Sequence, residues 1–307
     1  MEIKGALPAV TDIRPGKKAG ETIGLRKVRK TLSEYKRRPL SGLMLLLTIA
    51  CAAVTFGIIV FLLVYILVKG VPYLSPSLFE WKYTTENQSM MPAIINTLTV
   101  TLISLLIAAP LGIFSAIYTV EYASKDNKFI NVVRIATETL SGIPSIVYGL
   151  FGMLCFVSFF KWGYSIISGA CTLAIMILPL IMRTCEEALL AVPDAYRQAS
   201  FGLGAGKLRT VFRIVLPSAV PGILSGIILA TGRIVGETAA LLYTAGTISK
   251  AASLTSSGRT LAIHMYVLSN EGLYVNEAYA SSVVLILLVL FINMISRIIA
   301  GRFREKK

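Results

Sequence analysis

The stretch QASFGLGAGKLRTVFRIVLPSAVPG, Gln198 to Gly222, decides the fold. Pro193 and Asp194 just before it suit a helix start, with Asp194 able to cap residues 195–203. Gly202, Gly204 and Gly206 end that helix and permit a reversal. A second helix carries Lys207, Arg209 and Arg213, and Pro217 and Pro221 mark the passage into an apolar span. Helix, glycine turn, helix and proline together describe a docking element rather than a plain connector. The GLGAGK within it imitates a phosphate-binding loop, but that pattern needs Gly at 201 and Ser or Thr at 208. The chain has Phe201 and Leu208 there, and no strand precedes them. ATP is therefore not expected to bind here, and any energy has to come from a partner.

Outward from this loop, the chain divides into charge-free runs at 39–68, 87–120, 139–160, 162–182, 214–232 and 278–296, each at least 19 residues long. About 20 helical residues cross a hydrocarbon core, and backbone groups in lipid must be satisfied within the segment. The expected fold is an all-α membrane protein of six transmembrane helices. A composition of 55% hydrophobic and 15% charged residues excludes a soluble domain. The net charge of +14 would suit nucleic acid, but its distribution points elsewhere. With both termini cytoplasmic, the inner segments hold 24 of the 30 Lys and Arg residues. That bias is topology and attraction to anionic membrane lipid, and no nucleic-acid partner is expected. Residues 1–38 read as a basic cytoplasmic tail and 39–307 as the six-helix domain, with its core at about 90–300 and the loop at 183–217. The four cysteines show neither metal spacing nor a disulfide framework, so no metal or cofactor is expected.

Four small residues, Ser218, Gly222, Gly226 and Ala230, recur at four-residue spacing after the loop. Such a stripe lets helices pack closely, either within the chain or between subunits. Arg233 and Glu237 follow one turn apart, with Arg233 roughly 22 Å beyond Ser218 at the helical rise. A charge at that depth faces a cavity, a partner charge or a transport pathway. Arginine suits an oxyanion, because its planar fork stays charged and bonds two oxygens at once. The expected reading is that Arg233 and Glu237 line the substrate pathway, with Glu237 as the local partner of Arg233; the alternative is an arginine reaching for the interface with Glu237 as its mate. Arg134 and Glu138, at the inner end of the third run, read as a boundary ion pair, and His264 reads as a surface or packing residue. The outer connection, about 233–277, opens with ETAALLYTAG, apolar enough to continue the helix or to re-enter the membrane.

The skeleton Gln198-Ala199-Ser200, Gly204, Ile214-x-Leu216-Pro217 resembles the EAA loop of ATP-binding-cassette importer permeases. It opens with QAS where that family has EAA, which removes one charge available for an ATPase. SGIPSIVYGLFG at 141–152, RIVGETAALLYTAG at 233–246 and NEAYASSVVLILLVL at 276–290 resemble the PstA family of phosphate-importer permeases, over roughly residues 40–300. The resemblance implies a type I importer permease fold and a non-catalytic subunit moving inorganic phosphate by alternating access. It also implies a PstC-like permease partner, a PstB-like ATPase dimer and an extracytoplasmic phosphate-binding protein. A permease for another oxyanion, such as molybdate or sulfate, would share the loop. A secondary transporter or channel would need no ATPase.

Overall fold

The computed structural model describes residues 39–124 and 128–305; the expected basic tail, 1–38, lies outside them. The regular structure of the described residues is all helical, without a strand. They form two compact units, 1–64 and 65–307. The described part of the first unit belongs to helix α1 (Pro39–Gly70). It is apolar on all sides and its side chains are exposed, as in a helix facing lipid or another membrane protein.

The second unit is built on α2 (Met91–Ile117, prolonged by a π turn, Tyr118–Tyr122). The loop expected at 183–217 holds α6 (Asp194–Gly202), α7 (Lys207–Thr210) and a π turn, Val211–Val215. α5 (Ile166–Leu190) packs along α2 and along α8 (Leu216–Val235), which carries α11 (Val275–Glu305) on its flank. Val100, Leu173, Ile177, Ile181, Val215 and Ile223 form the buried centre. A Cβ on Gly222 would stand 2.6 Å from Ala188 Cβ, and one on Gly226 would collide with Thr184. At Gly222 and Gly226 the small-residue stripe therefore packs on α5 of the same chain.

The third apolar run is not one helix. α3 (Lys128–Ser141) and α4 (Ser145–Gly152, prolonged by a π turn to Phe159) meet at 105°. Pro144 has no N–H and disfavours helical geometry at Ile143, so the chain leaves the helix there with ψ 143 at the proline. The Tyr148 hydroxyl reaches back over the break and donates to Leu140 O at 2.7 Å. If the bent pair is one crossing, the described residues hold six apolar spans. Arg134 and Glu138 are both exposed on α3, and among the described residues they form no ion pair, contrary to the sequence reading. ETAALLYTAG does not continue α8. The helix ends at Val235, and the short α9 (Ala239–Leu242) packs on α4, where a Gly149 Cβ would lie 2.8 Å from Ala240 Cα.

Residues 247–260 then form a cap held on α2. Asn96 Nδ2 donates to Lys250 O (2.8 Å) and Arg259 O (3.0 Å), while its Oδ1 accepts from Ala252 N at 2.9 Å. Thr97 Oγ1 accepts from Leu261 N at 2.8 Å, the first residue of α10 (Leu261–Glu271). Beneath the cap His264 is fully buried, as a packing residue should be. Its ring meets Tyr83 edge-on, and the Arg259 guanidinium lies 4.7 Å over the same tyrosine.

Candidate functional site

Two regions carry the residues singled out by the sequence. The first is the loop between α5 and α8. Asp194 does not cap α6; it occupies the first turn, and Oδ1 accepts from Arg197 Nη1 at 3.1 Å. The helix ends as its glycines require. Gly204 takes φ +81°, with Ala205 N donating to Ser200 O (3.1 Å) and Gly204 N to Phe201 O (2.9 Å). That pair of reverse bonds satisfies carbonyls which the helix end would otherwise orphan. Ser200 is buried, and its hydroxyl meets Thr210 Oγ1 at 2.8 Å, locking α6 to α7. Gln198 and Ala199 are exposed, so the QAS triplet splits into two surface positions and one internal lock. Leu203 projects 90% exposed at the crest, beside exposed Tyr196, Phe201 and Leu208. Ile214 and Leu216 are half-buried in the second arm, and Pro217 lies in the first turn of α8.

Under this crest sits a residue that sequence reasoning passed over. Arg197 Nε and Nη2 both donate to Glu121 Oε1, at 3.1 and 2.7 Å. Nη1 also donates to Val192 O (2.8 Å) and Nη2 to Leu189 O (3.0 Å). The two side chains are 15% and 8% exposed. Beside them Lys207 Nζ lies 5.1 Å over the Tyr122 ring, and Thr119 Oγ1 donates to Glu186 Oε1 at 2.5 Å. Nothing local flags the Arg197–Glu121 pair, whose members are 76 residues apart.

The second region surrounds Arg233, exposed in the last turn of α8. It lines a cleft of about 870 Å³ with Ser225, Leu229, Asn293 and Arg297. It also lines a second, of about 620 Å³, with Arg134, Glu138, Arg183, Glu186 and Glu187. Among the described residues its guanidinium has no hydrogen-bond or ion-pair partner. Glu237 is not its mate, because Oε1 accepts from Ala240 N at 3.1 Å and caps α9. The structure thus groups Arg233 with Arg134 and Arg183 and sets Glu237 to a structural task. Arg183 pairs with Glu187 at 3.2 Å, but both are more than 60% exposed and such a pair is weak. An open fork among mixed charges can receive an anion without trapping it.

A family model described as "Binding-protein-dependent transport system inner membrane component" matches residues 108–306. The chain is 36% identical over 271 residues to the probable ABC transporter permease protein YqgI of Bacillus subtilis, covering 80% of this chain and 90% of that one. It is 35% identical over 262 residues to the phosphate transport system permease protein PstA of Pasteurella multocida (83% and 92% covered). Against PstA of Haemophilus influenzae it is 30% identical over 290 residues (92% and 100% covered). Among solved structures, a bacterial alginate ABC transporter superposes with a TM-score of 0.64 at 18% identity (88% and 96% covered). The MetNI methionine ABC transporter gives 0.55 at 19% identity (70% and 94% covered). At those identities the structures attest the fold alone.

Proposed function

The chain belongs to the inner membrane component family of binding-protein-dependent transport systems, and on that premise we propose that it is the PstA-type permease half of a phosphate importer. It is a multi-pass protein of the cytoplasmic membrane with the type I importer permease fold. The observation that carries the oxyanion reading is Arg233, a guanidinium open to two clefts and, among the described residues, held by no carboxylate. In this reading the second permease subunit is PstC-like and closes the clefts from the other side. A PstB-like ATPase dimer docks under the Leu203 crest, hydrolyses the ATP and alternates access. An extracytoplasmic phosphate-binding protein loads the outer face. The chain supplies the path and the coupling and carries out no chemistry.

Reconstitution with the second permease subunit, the ATPase and the binding protein in vesicles tests this. Radiolabelled phosphate should accumulate only with ATP, and excess molybdate or sulfate should not displace it. Accumulation that survives removal of the ATPase would point to a secondary transporter. Displacement by molybdate or sulfate would reassign the substrate.

A further inference from the structure

We propose that Arg197 is the positioning residue that makes the coupling loop and the inner end of α2 move as one body, so that ATPase motion reaches the transport helices. The inference rests on the importer reading above. The carrying observation is that one guanidinium is shared among four pieces of the chain. It bonds Glu121 at the end of α2, Leu189 O in the last turn of α5, Val192 O in the connector and Asp194 in α6. Leu189 O already accepts from Val192 N at 3.3 Å, so the guanidinium adds a second, charge-assisted bond at the end of α5 and another at Val192 O in the connector. A planar fork with five donors can serve all of these at once, whereas a point charge cannot.

The position matters as much as the bonds. The exposed crest, at Phe201, Leu203 and Leu208, has its own reversal and the Ser200–Thr210 lock, and neither contains Arg197. The crest can therefore present its docking face without Arg197. What the crest lacks without it is a charge-assisted tie to α2. The other contacts, Lys207 over the Tyr122 ring and the burial of Val211 and Val215 in the core that holds Ala116 and Ile117, are not directional and let the loop shift. α2 runs alongside α5, and α5 alongside α8, whose last turn holds Arg233. A displacement delivered to α2 is thus passed through a packed core to the clefts, and one lost at a slack joint is not.

The test uses the full complex with Arg197→Lys and Glu121→Gln, singly and together, comparing ATP hydrolysis with phosphate uptake in the same vesicles. The proposal expects both variants to assemble with the wild-type subunit ratio and to hydrolyse ATP near the wild-type rate. Phosphate moved per ATP should fall about tenfold for Arg197→Lys, and the double variant should be no worse than the more severe single one, since both cut one joint. Uptake and hydrolysis falling in proportion would overturn it, and so would unchanged uptake per ATP. Loss of assembly in both single variants would also overturn it, since Arg197 would then be a folding element only. The wild-type complex is the control for the broader reading: if it shows no ATP-driven uptake, the importer assignment fails and takes this inference with it.

Discussion

Among the described residues Arg233 has no ion-pair mate, because the helix beneath it stops. Ser218 and Arg233 do share one helix, fifteen residues apart, but the i,i+4 pairing with Glu237 assumed that the helix continued. α8 ends at Val235 and Gly236 follows as its cap, so the two side chains leave in different directions. Arg233→Gln should lower phosphate uptake tenfold to about a hundredfold, from the loss of charge-assisted bonds, with complex yield unchanged. Arg233→Lys should recover part of it, and full uptake by the Gln variant would place the anion elsewhere. Glu237→Ala should instead weaken the α4–α9 contact, read as a lower melting temperature. His264 offers a pH test. Burial first, then the neighbouring Arg259 charge, pushes its imidazole from 6.5 down to about 3, against a smaller opposing pull from the Gln88 backbone. The neutral ring is the folded form, so its contribution is whole above pH 6.5 and declines as the pH falls from there toward 3. The slope is on the order of 1.4 kcal/mol per pH unit, because the unfolded chain takes up the proton that the buried ring refuses. The melting temperature should drop between pH 7 and pH 5, and His264→Phe should flatten that drop; an unaltered slope would exclude His264 as the cause.

Among the elements, the helix–turn–helix form of the 183–217 loop was legible and the third span was not. Gly204 announced its reversal because few residues other than glycine enter φ +81° cheaply. Nothing crowds that position, so Gly204→Ala should cost only about 1 kcal/mol, from the backbone alone, while Gly204→Asp should also put a charge on the docking crest. Uptake by the Asp variant at the level of the Ala variant would show that this face touches no partner. The small-residue stripe was legible as a packing seam, but its partner was not, since spacing alone does not distinguish α5 from another subunit. Gly226→Leu should destabilise the isolated chain by roughly 1–3 kcal/mol through collision with Thr184. An effect seen only in the assembled complex would contradict the internal seam. Pro144 marked a disturbance, yet a proline can bend a helix or break it. The 105° turn depends on Tyr148 bonding across the gap and on α9 packing from ninety residues downstream, neither of which shows in local periodicity.

At the scale of the molecule, the topology drawn from charge makes opposite ends of the second unit face opposite compartments. In a background without the native cysteines, Thr255→Cys in the cap should label from outside intact cells, and Leu203→Cys only after permeabilisation. Both positions are exposed, whereas the Ser257 hydroxyl is engaged with Ala245 O. The reverse pattern would invert the chain and move the crest away from any cytoplasmic ATPase. The apolar spans were readable because lipid permits so few alternatives. The fastening of the cap to α2 was not readable, since it lies in hydrogen bonds spanning more than half the chain. That fastening has a consequence in time. Asn96 leaves the ribosome 154 residues ahead of Lys250, its first acceptor. At 5–20 residues per second the interval is roughly 8–30 s. Throughout it the new α2 carries an amide with none of its mature partners, in surroundings that penalise an unbonded polar group. The nascent chain is therefore least settled midway through its own synthesis, and a late-arriving loop, not an early helix, marks the moment it is finished. Asn96→Leu should enter the bilayer without that delay and then never close its cap.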